Sequence, residues 1–219
     1  PASGGNANSL IILLHGHGSN GEDMIGLAQA VQSQFPDAAF VAPDGLQSMG
    51  GVARRWFPVT TASEDELAAG ANAACPVVEA FIDTEGKRYG VGRERTVLVG
   101  FSQGAIVALH LAIKTQRPLA GMVGFSGMLA ATSVANTTGP TTPITLIHGA
   151  LDLVVPASAV TRAETTLKKA GFGVTTSVFD GLGHSIDQRS LGAGTNAIAL
   201  ALAATRYGTA EPFRSSAAR

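Results

Sequence analysis

The chain has 219 residues, of which 45% are hydrophobic and 14% charged, and a formal net charge of -1. That size and composition suit one globular domain, 1–219, and exclude an intrinsically disordered chain. The balanced charge gives nucleic acid or anionic lipid nothing to bind, the one cysteine, Cys75, cannot form an internal disulfide, and no apolar run reaches the roughly 20 residues of a membrane span.

Short β-rich runs alternate with longer helical ones, the pattern of a mostly parallel central sheet with helices on both faces. Residues 9–14 form a continuous apolar run, as a strand buried on both faces requires, and end in glycine and histidine. A helix is expected over 22–34 and a second strand over 39–42, stopped by Pro43. Residues 44–61 hold Gly, Pro, Arg54-Arg55 and the only tryptophan without any period, and read as a long loop over the sheet. Ser63 and Glu66 fit a capping box opening a helix to about residue 84, with a break near Pro76. A strand over 96–100 precedes a helix over 103–114 that is apolar nearly all round. Two more central strands follow at 119–125 and 144–148, then a helix over 156–170 ended by Gly171 and a last strand over 174–179. A closing helix is expected over about 191–207, with a frayed polar tail at about 209–219.

Between a strand and a helix lies Gly100-Phe101-Ser102-Gln103-Gly104, the G-x-S-x-G pattern of a nucleophile elbow. So sharp a turn crowds backbone against backbone, which explains the glycine two positions either side of the serine. The near match at Gly124-Phe125-Ser126-Gly127 has Met128 in place of the second glycine and no clear helix after it, so Ser126 reads as structural. A serine hydroxyl needs a base to take its proton and a carboxylate to orient the base, in the chain order serine, acid, histidine. His110 sits in the apolar helix and reads as a core residue, and His148 ends a strand and supports the loop after it. His184, in the glycine-rich loop after the last strand, is left as the base. Asp152, just beyond the strand at 144–148, lies on the same rim as the elbow and is the expected acid, with Asp180 and Asp187 as competitors close to His184.

An oxyanion hole takes one N–H from the residue after the nucleophile, Gln103, and one from a glycine-flanked loop after an early strand, where His17 is placed in Leu14-His15-Gly16-His17-Gly18. His15 and His17 could alternatively suggest a metal, but no Cys, Asp or Glu with ligand spacing is beside them, and no metal or cofactor is expected. Trp56 either packs the long loop down or, with Phe57, walls a substrate site.

These stretches, with Ser19-Asn20-Gly21-Glu22-Asp23, Ala42-Pro43-Asp44-Gly45 and Val154-Val155-Pro156, run over most of the chain and resemble the phospholipase/carboxylesterase family, which includes the acyl-protein thioesterases. The resemblance implies an α/β-hydrolase with Ser102, Asp152 and His184 as triad and the N–H groups of His17 and Gln103 as oxyanion hole. Pro58 stands where that family usually has an acidic residue. The expected function is a serine carboxylesterase acting on a small-molecule or acyl ester. Alternatives are a thioesterase or lysophospholipase using the same site, or a non-catalytic binding module on a hydrolase fold. The expected location is the cytoplasm, although a leader removed ahead of Pro1 would also fit.

Overall fold

The computed structural model describes residues 1–131 and 133–204. In chain order its elements are β1 (Ser9–Leu14), α1 (Gly21–Gln29), β2 (Ala38–Val41), β3 (Gln47–Ser48), β4 (Arg54–Arg55), α2 (Glu64–Tyr89), β5 (Thr96–Phe101), α3 (Gln103–Lys114), β6 (Gly121–Phe125), β7 (Ile144–Gly149), α4 (Ser158–Lys169), β8 (Val174–Phe179) and α5 (Gln188–Ala204). Six strands form one sheet in the order β2-β1-β5-β6-β7-β8, every neighbouring pair parallel. The helices cover both faces, as an all-parallel sheet demands, and this is the α/β-hydrolase fold.

Alternation along each strand divides the core in two. Leu10, Ile12, Leu14, Leu98, Met122, Ile144 and Leu146 face one cluster with α2, α3 and α4. Ile11, Leu13, Val97, Val99, Val123 and Ile147 face the other, with α1 and α5. A side-chain period of two on strands apolar at every position serves both layers at once.

The structure departs from the sequence expectation at several places, each with a local cause. The helix expected over 22–34 stops at Gln29, and a 3-10 turn takes up Gln32–Gln34. Phe35 precedes Pro36, whose ring disfavours helical backbone before it. The helix expected to break near Pro76 runs through it from Glu64 to Tyr89. Pro76 and Asn72, whose carbonyl loses its partner, are both exposed, so water can satisfy that oxygen while Leu67, Ala71, Ala74, Val78 and Ile82 hold the opposite face in the core. The capping box is only half as expected: Ser63 Oγ accepts the Glu66 N–H at 3.3 Å. The Glu66 carboxylate reaches past Ser63 to accept the N–H groups of Thr60, Thr61 and Ala62 at 2.7, 2.8 and 2.8 Å. These bonds, that from Thr61 foremost, hold its carboxyl at about 2. The long loop contains the small antiparallel hairpin β3–β4, turned by Gly50 and Gly51 at φ of 102° and 55°. The expected end of the closing helix near residue 207 and the tail at 209–219 lie outside the described residues. No described helix is long and apolar enough to cross a membrane.

Candidate active site

Ser102 stands alone between β5 and α3, at φ 51° and ψ -117°, a conformation that side-chain-bearing residues rarely adopt. Both flanking glycines are required by contact. A Cβ on Gly100 would lie 2.5 Å from the Gly104 carbonyl oxygen, and one on Gly104 would overlap the Leu14 carbonyl. The bend lifts Ser102 above the C-terminal edge of the sheet, where the loops after β7 and β8 converge on it.

The Ser102 hydroxyl donates to His184 Nε2 at 2.9 Å, and His184 Nδ1–H donates to Asp152 Oδ2 at 2.7 Å. A carboxylate only accepts, so the proton sits on Nδ1 and the Nε2 lone pair is free to face the serine. Phe101 packs against the imidazole, ring centroids 5.2 Å apart. The Asp152 side chain is fully buried, and its Oδ1 accepts the N–H groups of Val154 and Val155 at 2.9 and 2.8 Å. Burial alone would raise its pKa; the N–H of Val155, the His184 ring and the N–H of Val154 outweigh it and hold the carboxyl below its ordinary value.

The acid and base loops are laced together: Ala150 N–H donates to Phe179 O at 2.9 Å and Leu151 N–H to Leu182 O at 2.8 Å. Gly149 permits the approach, since a Cβ there would overlap the carbonyls of Leu182 and Gly183. Asp187, a competitor for the acid, instead caps α5, accepting Ser190 N–H and Arg189 Nε–H, each at 2.8 Å. Asp180 offers its backbone carbonyl to Arg189 at 3.1 Å.

His15 ends up as a bracket. Its Nδ1–H donates to Gly16 O and its Nε2 accepts the Gly45 N–H, both at 2.7 Å, so neither ring nitrogen has a lone pair left for a metal. Burial lowers its pKa, with the Gly16 carbonyl opposing. The adjoining loop is stitched to the β3–β4 hairpin: Gly18 N–H donates to Arg54 O and Arg54 N–H to Ser19 O, both at 2.8 Å. His17, exposed between these tethers, follows Gly16, on which a Cβ would lie 3.3 Å from that of Ser102, and Gln103 directly after the serine is the first residue of α3.

Trp56 and Phe57 pack in the core cluster beneath the long loop. Each is only 2% exposed. Trp56 Nε1–H donates to His15 O at 2.9 Å, and the Phe57 ring lies on α2 where Gly70 leaves room. Both anchor the loop. No local pattern announces the clasp that holds them: Gln103 Oε1 accepts the Trp56 N–H at 2.8 Å and its Nε2–H donates to Phe57 O at 2.9 Å. Ser126, at the end of β6, also has a positive φ, 49°, but is 1% exposed and starts no helix.

Comparison with known proteins agrees with this architecture. The model of the phospholipase/carboxylesterase family matches residues 2–202. Esterase YpfH of Escherichia coli is 37% identical over 187 residues, covering 84% of this chain and 79% of its own. Acyl-protein thioesterase 1 homolog 1 of Dictyostelium discoideum is 29% identical over 188 residues, covering 81% and 83%. The crystal structure of esterase PE8 superposes with a TM-score of 0.81 at 38% identity, over 90% of this chain and 94% of that one. The chain belongs to the phospholipase/carboxylesterase family of α/β-hydrolases and is a carboxylic ester hydrolase.

Proposed function

We propose that Ser102 is the nucleophile, His184 the general base and Asp152 the orienting acid of a carboxylesterase built on one domain. The observation that carries this reading is the unbroken relay from Ser102 Oγ through His184 to Asp152, 2.9 and 2.7 Å long. As Ser102 attacks the ester carbonyl, its proton passes to His184 Nε2, and Asp152 stabilises the imidazolium. The N–H groups of His17 and Gln103 receive the oxyanion, Gln103 with the dipole of α3 behind it. The imidazolium then protonates the leaving alcohol, and water, deprotonated by the same ring, hydrolyses the acyl-enzyme.

With Trp56 and Phe57 sealed in the core, the apolar part of the ester meets other side chains. Leu153 and Val154, beside Asp152, are 95% and 67% exposed and give it an apolar surface at the rim. The thioesterase relative keeps thioesters as a second reading, because the same relay serves a thiolate leaving group. We assign the enzyme to the cytoplasm, where the lone thiol of Cys75 needs no oxidative partner.

The test is a panel of aryl esters and acyl thioesters of graded length run on wild type and Ser102→Ala. Wild type should turn over esters, and Ser102→Ala, folded by circular dichroism, should retain less than about a thousandth of kcat. Retention of more than about a tenth would remove Ser102 from the nucleophile's role.

A further inference from the structure

His148 closes β7 and takes no part in the relay, yet it touches the relay's buried end. It is 1% exposed. Its Nε2 lies 2.8 Å from the Val155 carbonyl oxygen, and a carbonyl only accepts, so Nε2 carries a proton. The same nitrogen is 3.3 Å from Asp152 Oδ2, the oxygen that receives His184 Nδ1–H. Val155 completes a small ring of bonds, since its own N–H donates to Asp152 Oδ1 at 2.8 Å.

We propose that His148 is a positioning residue of the active site: its Nε2–H holds the 152–155 turn closed and shares Oδ2 of Asp152 with His184. The inference rests on the reading of Asp152 as the catalytic acid. Two consequences follow from placing this N–H 3.3 Å from the carboxylate oxygen to which His184 already donates. The carboxylate is fixed in the plane that meets His184 Nδ1, and part of its charge is drawn toward His148. The charged and titratable groups facing Asp152 are few. Among the described residues they are His148 from β7 and His184 from the loop after β8. The first turn of α4 brings no acidic or basic residue, and Asp187 in the His184 loop is already bound to Ser190 and Arg189. Asp180, in that loop, has its carbonyl on Arg189.

His148→Leu keeps the bulk and removes the donor, whereas His148→Gln keeps an N–H at nearly the Nε2 position. With a short aryl ester, His148→Leu should lower kcat about 10- to 30-fold at nearly unchanged KM, and should move the acid limb of kcat/KM upward by about half to one pH unit. His148→Gln should return kcat to within about threefold of wild type and restore the limb. In an Asp152→Asn background, His148→Leu should have no further effect on kcat, because the two act through one group. Equal loss in both His148 variants with an unmoved pH limb would make the residue merely structural and overturn the proposal, as would wild-type kcat in His148→Leu. If Asp152→Asn itself kept wild-type kcat, the triad reading would fail, and its failure is thereby told apart from that of His148. Should His148→Leu not fold, imidazole nitrogen NMR of the wild-type enzyme decides: an Nε2–H tautomer of His148 at neutral pH supports the proposal, and an Nδ1–H tautomer overturns it.

Discussion

At the residue scale, each side chain at the sheet edge is fixed by what its neighbours leave it to do. Asp152 is buried and offered three donors besides His148, so it stays ionised in a place that would otherwise neutralise it. Asp187 is equally well bonded, but to a helix end. Asp152→Asn should therefore lower kcat by at least about a hundredfold, because the amide lacks the charge that stabilises the imidazolium and invites the wrong His184 tautomer. Asp187→Asn should keep kcat within about tenfold of wild type and instead lower Tm by weakening the start of α5, and Asp180→Asn should also stay within about tenfold. Steady-state kinetics beside thermal melts of the three variants make the comparison. This arrangement was legible in the sequence because its geometry is written in local spacing: a glycine two residues either side of Ser102, and an Asp and a His each just past a strand end. His15 was legible only as part of a loop. The partner of its ring, Gly45, is thirty positions away, and no local pattern announces it.

At the scale of elements, the feature that local pattern could not supply is how the segment between β2 and α2 is held. It has two-residue strands, too short for a period, and its anchors are distant in sequence. Gln103 is 4% exposed, and its side chain satisfies both the Trp56 N–H and the Phe57 carbonyl. A residue read only for its backbone N–H thus also fastens the hairpin that steadies the loop of His17. Gln103→Met would leave two buried backbone groups without partners, and should destabilise the fold by about 2–4 kcal/mol in urea unfolding. It should lower kcat as well, since the Trp56 tether to His15 loosens. Undiminished stability would show that the clasp is incidental. Pro76 teaches a related lesson from the other side. The propensity rule against proline inside a helix is sound, but it was outweighed by a buried face it could not weigh, with the exposed Asn72 carbonyl open to water.

At the scale of the whole molecule, the parallel sheet puts every strand's C-terminal end on one edge, so residues 82 and 32 positions apart in sequence, Ser102 with His184 and Asp152 with His184, become neighbours without further design. The same sheet buries α3 so fully that His110 has no hydrogen-bond partner for either ring nitrogen among the described residues. Burial, helped by the Lys114 charge, pushes its pKa down to about 4. The unfolded chain takes up this proton near the ordinary histidine value, about 6.5, while the folded chain resists until about 4. Stability should therefore fall as pH drops through that window and level off below it, by about 3 kcal/mol from this group. His110→Leu should flatten that part of the Tm profile between pH 7 and pH 4, and an identical profile in the variant would contradict the assignment. The central claim, that this fold exists to activate one serine, is tested most directly by treating the enzyme with a fluorophosphonate and locating the adduct by mass spectrometry of its peptides. The account predicts one adduct per chain, on Ser102, lost when His184 is replaced by alanine; an unlabelled protein, or an adduct on Ser126 with Ser102 intact, would contradict it.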